Sequence, residues 1–97
     1  MSDFELVRSG DGSYELSGEM SFDTADRILK ASEQAFQGHE DISVDMSRVT
    51  RADSAGLALL LEWKAQANIR AGQIRFSGVP DSIRAIAETT EVTHLIG

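Results

Sequence analysis

The sequence predicts an α/β domain: a mixed β-sheet with an N-terminal hairpin and helices packed mainly on one face. Three observations carry that expectation. Apolar residues alternate with polar ones near the start of the chain and again at residues 42–46. After Phe22 and after Ser54 the apolar period lengthens to three or four residues. Segments rich in glycine and small polar residues separate these stretches.

The elements follow in order. Phe4 and Leu6, then Tyr14 and Leu16, alternate with polar neighbours as two strands with one buried face each. Ser9-Gly10-Asp11-Gly12 between them is rich in turn formers and predicts an antiparallel hairpin. Phe22, Ala25, Ile28, Leu29, Ser32, Ala35 and Phe36 form one apolar stripe on a first helix. Ser21 is its expected N-cap and Gly38 its left-handed stop. Ile42, Val44 and Met46 predict a third strand, and the intervening helix makes the connection a crossover between parallel strands. A second helix is expected from about Ser54 to about Ala71, stopped by Gly72. Ile74 and Phe76 supply a fourth strand. Pro80 opens a third helix with Ile83, Ile86 and Ala87 inward. The tail from Glu91 is expected to dock Val92, Leu95 and Ile96 as a short strand or irregular segment.

At 97 residues the chain has room for one domain, spanning 1–97, and no repeat or linker divides it. With no cysteine, disulfides and thiolate metal sites are excluded. Met1-Ser2-Asp3-Phe4-Glu5 lacks the basic and apolar regions of a secretory signal. Leu57-Ala58-Leu59-Leu60-Leu61 is too short to span a bilayer. The expected location is therefore the cytoplasm, with a membrane reached only through a partner. A formal net charge of -7 argues against nucleic acid and against anionic lipid headgroups.

The informative segment runs from Asp45 to Leu57, where a strand gives way through a polar loop to a helix at Asp53 or Ser54. The first N–H groups of a helix lack intrahelical partners, so Asp53 and Ser54 suit capping. Ala55 and Gly56 are small, which leaves the first turn bare for another molecule to approach. A phosphate on Ser54 would sit where the helix dipole favours anions, and Arg48 and Arg51 upstream could help to neutralise it. Asp53 would repel it. Spacing alone does not choose between capping and phosphorylation.

The second helix carries an excess of apolar surface. Leu57, Leu60, Leu61 and Ala65 form one face, and Leu59, Trp63 and Ala67 another. Two readings of Trp63 stand side by side: packing between the second and third helices, or an exposed aromatic anchor for a partner.

The segment from Ile42 through Gly56 and onward resembles the STAS domain, the fold shared by sulfate transporters and anti-sigma-factor antagonists. Asp53, Ser54, Ala55, Gly56 and Leu57 match its Asp-Ser-small-Gly-Leu helix opening, Leu16-Ser17-Gly18-Glu19 the close of its second strand, and Phe76-Ser77-Gly78-Val79 that of its fourth. The resemblance covers essentially the whole chain. Within the family, Asp45 to Leu61 looks most like the cytoplasmic STAS subunits of the Mla phospholipid ABC transporter. That similarity implies a non-enzymatic subunit, peripheral at the inner membrane, that binds an MlaF-like ATPase subunit. It implies a contact at Ser54; the helix tip read from the residues adds Asp53, Ala55 and Gly56, with Thr50, Arg51, Leu57, Ala58 and Trp63 as further interface candidates. A free binding face would also suit a homodimer of the isolated chain. The anti-sigma antagonists carry a phosphorylatable serine at the position of Ser54, and that role is the alternative.

Catalysis is the third class. A nucleophilic serine needs a base in reach, and only His39, in a loop, and His94, in the tail, are candidates. Ser54 lacks the Gly-x-Ser-x-Gly elbow, two isolated histidines make no metal-ligand set, and no P-loop or dinucleotide glycine pattern occurs. No catalytic residue, metal or cofactor is expected.

Overall fold

A computed structural model of the chain describes residues 3–96. Strands β1 (Phe4–Gly10) and β2 (Ser13–Met20) precede helix α1 (Ala25–Ala35). Strand β3 (Asp41–Ala52), helix α2 (Ser54–Ile69), strand β4 (Gln73–Ser77) and helices α3 (Asp81–Thr89) and α4 (Thr93–Ile96) follow. The strands lie in the order β1-β2-β3-β4; β1 runs antiparallel to β2, and β2, β3 and β4 run parallel. The α/β class, hairpin and mixed sheet are therefore as the alternation predicts. Gly12, at φ 71, makes the hairpin turn that an L-side chain would strain.

Tyr14, Leu16, Ile42, Val44, Met46 and Ile74 project from the sheet into the core. Glu15, Asp45 and Ser77, neighbours in register, carry the opposite parity. One face is thus apolar and covered, the other polar. Tyr14, Phe36, Trp63 and Phe76 form a tilted aromatic chain, with successive centroids 5.0, 5.5 and 6.2 Å apart. The Tyr14 hydroxyl donates to the Ala35 carbonyl, which ties β2 to the end of α1.

Four boundaries differ from the expectation. Strand β3 does not stop near Met46 but runs to Ala52, with its register against β2 shifting between Glu15 and Ser17 and between Gly18 and Glu19. Those irregularities break the two-residue period and hide the strand's second half. Helix α1 begins at Ala25, not Phe22: the Ser21 carbonyl accepts from Thr24 N at 3.0 Å and Ala25 N at 2.8 Å, forming a turn ahead of the helix. Helix α2 ends at Ile69 rather than about Ala71, and Ala71 itself takes a left-handed conformation ahead of Gly72. Gly72 is needed for another reason, since a Cβ there would stand 1.9 Å from the Glu40 carbonyl oxygen. The tail forms α4 rather than a strand, with Ile96 buried and Leu95 exposed.

Candidate functional site

The site is built where β3 meets α2. Asp53 is the N-cap: its Oδ1 accepts from Ala55 N at 2.8 Å, satisfying one of the helix's orphan donors. Its Oδ2 accepts from Phe22 N at 3.2 Å, and its own N–H donates to the Met20 carbonyl at 3.2 Å. One aspartate therefore fastens the start of α2 to both the end of β2 and the turn before α1. With the cap supplied by Asp53, Ser54 is left exposed in the first turn.

Ser54 stands at the mouth of a groove of about 610 Å³ between α1 and α2. The α1 wall is Ala25, Asp26 and Leu29; Ala55, Ala58, Leu59 and Glu62 continue the α2 wall. Phe22 borders the groove from the preceding turn with 76% of its surface exposed. Ala55 is half-buried and Ala58 exposed along this wall.

Several expected contact residues are spent inside the domain. Gly56 is buried, and a Cβ there would lie 2.9 Å from Ile83 Cδ1 and 3.1 Å from the Met20 carbonyl oxygen. Its smallness serves the close packing of α2 on α3 and β2, not the approach of another molecule. Leu57 is buried in the core. Trp63, one reading of which made it a surface anchor, is 0% exposed and donates from Nε1 to Ser32 Oγ at 2.9 Å. It is a core residue. The excess apolar surface of α2 follows from its central place on the sheet, where it contacts α1, α3 and α4 as well as β3 and β4.

Arg48 and Arg51 do not converge on Ser54. Arg51 Nη1 lies 3.5 Å from Glu19 Oε1, and Arg48 Nε 3.9 Å from Glu15 Oε1, both toward carboxylates of β2. Thr50 is exposed, its hydroxyl 3.3 Å from the Gly18 carbonyl. His39 lies 3.9 Å from Asp11 at the hairpin turn, and His94 is exposed on α4. Among the described residues no group of three or more His, Cys, Asp or Glu side chains is placed to hold a metal ion, and no helix is long and apolar enough to cross a membrane.

Sequence reasoning missed the α1 side of the site. The stripe reading puts Phe22 and Leu29 on the buried face of the first helix and does not single out Asp26 or Glu62. The signal was Thr24, a second cap candidate three residues after Ser21. Its buried Oγ1 accepts from Ser21 N at 2.9 Å and donates to the Glu19 carbonyl at 2.8 Å, which leaves Phe22 outside the helix.

Comparisons agree with this architecture. A family model described as Mlab, STAS domain matches residues 8–97. The intermembrane phospholipid transport system binding protein MlaB of Escherichia coli (strain K12) is 34% identical over 73 residues, 75% of this chain and 73% of that one. The protein of the same name in Shigella flexneri matches equally. Among solved structures, the anti-sigma factor antagonist SpoIIAA in its unphosphorylated form superposes with a TM-score of 0.72 at 20% identity, over 97% of this chain and 85% of that one. A sulfate transporter family protein from Wolinella succinogenes gives 0.68 at 26% identity, over 96% and 76%. With the whole span from Arg8 onward matched and the helix-opening motif in place, the chain belongs to the STAS-domain family and is similar to MlaB.

Proposed function

We propose that this chain is a non-enzymatic STAS binding subunit. It docks on the cytoplasmic ATPase subunit of a Mla-type ABC transporter and supports that transporter's assembly or activity in phospholipid traffic between bacterial membranes. The observation that carries the reading is the division of labour at the tip of α2. Asp53 caps the helix, and Ser54 is left outward at the mouth of an apolar groove. A residue free of structural duty beside exposed apolar surface suits a protein contact. The likeness to MlaB, named as a binding protein of a phospholipid transport system, supplies the kind of partner. The chain then works at the cytoplasmic side of the inner membrane, held there by the transporter.

The test is Ser54→Arg, assayed for binding to the purified ATPase subunit. The arginine projects from an exposed position, so the circular dichroism spectrum and melting temperature should hold while affinity falls by at least about tenfold. Undiminished binding would remove the reading. The anti-sigma-antagonist alternative shares the exposed serine and the SpoIIAA fold. It has the Asp53 carboxylate beside any phosphate and both nearby arginines turned to Glu15 and Glu19. Stoichiometric phosphorylation of Ser54 in cells would favour that alternative.

A further inference from the structure

We propose that the groove between α1 and α2 receives a helix of the partner bearing large apolar side chains flanked by lysine or arginine. This rests on the docking reading above and specifies its chemistry. The floor is apolar through Leu29, Ala58 and Leu59, whereas Asp26 and Glu62 place a carboxylate on each opposing wall. Asp23, next to Phe22 in the chain and exposed, lies outside the lining but adds negative charge near the rim, and no basic residue lines the groove. Among the described residues none of these three carboxylates has a cation within ion-pair distance, while Arg27 is engaged by Asp3 at 3.0 Å and Arg51 by Glu19. An apolar channel between unpaired negative walls is complementary to an apolar ridge between positive flanks.

The same features argue for a helix and against other occupants. Both walls are helices, whose backbone groups are engaged within themselves, so the groove has no free strand edge to pair an extended segment. A helix satisfies its own backbone and inserts side chains only. Phe22, exposed yet held to α2 through its N–H on Asp53, stands as an aromatic contact at the rim. A second copy would bring the same carboxylates and the same net charge of -7, and an anionic headgroup would be repelled.

The experiment measures binding of the full chain to the purified ATPase subunit, with wild type, Asp26→Asn/Glu62→Gln, Asp26→Lys/Glu62→Lys and Phe22→Ala compared. All three positions are partly or fully exposed on the groove, and melting curves verify that each variant is folded. The neutral pair should lose about tenfold and the reversed pair about a hundredfold in affinity. Wild-type binding should weaken steeply between about 50 and about 300 mM salt, and that dependence should flatten in the neutral pair. Phe22→Ala should lose about tenfold at every salt concentration. Wild-type affinity in the reversed pair, with Ser54→Arg still weakened by at least about tenfold, overturns this inference and leaves the docking reading intact. Failure of the wild type to bind the ATPase subunit overturns the docking reading and this inference with it. Uptake by phosphatidylcholine vesicles or self-association, lost in Phe22→Ala, would assign the groove to lipid or to a second copy and equally overturn it.

Discussion

At the scale of single residues, Asp53 and Ser54 divide a task that their adjacency in sequence left ambiguous. Both are good caps, and only the placement of Oδ1 on Ala55 N decides that the aspartate does the capping. The second carboxylate oxygen, on Phe22 N thirty-one positions earlier, is invisible to any local pattern. Asp53→Ala removes both bonds. The lost cap is worth about 1 kcal/mol, which in a domain of this size lowers the melting temperature by roughly 4–8 °C. The turn bearing Phe22 loses its anchor as well, so ATPase-subunit affinity should fall with stability. Asp53→Asn keeps an acceptor for Ala55 N and should recover most of the melting temperature. A melting curve of Asp53→Ala superimposable on wild type would contradict this account.

At the scale of elements, legibility tracked regularity. The stripe of α1 and the alternation of β2 were readable because each buries one face in a steady period. The second half of β3 was not, because two register shifts carry Arg48, Val49 and Arg51 off the two-residue beat. Ahead of that irregular half, Asp45 Oδ1 accepts from Ser47 N at 2.9 Å. That backbone bond, helped by the Ser47 hydroxyl and the Arg48 charge, lowers the Asp45 pKa below its ordinary 3.8. A depressed folded-state pKa contributes stability that is present above pH 3.8 and is lost as pH falls through the lowered value. Asp45→Asn should therefore be less stable than wild type near neutrality, with the difference shrinking below about pH 4. Urea denaturation across that range measures it; a difference that grows on acidification would refute the assignment.

At the scale of the whole molecule, the site and the core share one helix, and the two sides of α2 were confused in the sequence for that reason. A helix flanked by α1 and α3 on a sheet buries far more than one stripe, so its apolar excess reads as a second surface. Trp63 shows the consequence. It touches neither groove nor solvent but packs between Phe36 and Phe76, joining α1 to β4 through the middle of α2. Its indole N–H reaches Ser32 Oγ, which in turn donates to the Leu29 carbonyl at 2.7 Å. The ring thereby braces the α1 wall of the groove from behind. Trp63→Ala removes the largest buried side chain and leaves a cavity where three elements meet. Such truncations cost about 3–5 kcal/mol, against a total of roughly 5–15 kcal/mol for a domain of ordinary stability. Chemical denaturation followed by circular dichroism should show a midpoint shifted far toward water, or a chain unfolded at the outset. Any loss of partner binding should follow the loss of folded protein rather than exceed it. A stable Trp63→Ala protein that had lost only its partner would instead mean that the ring opens outward in solution, and the groove's α1 wall would have no fixed support.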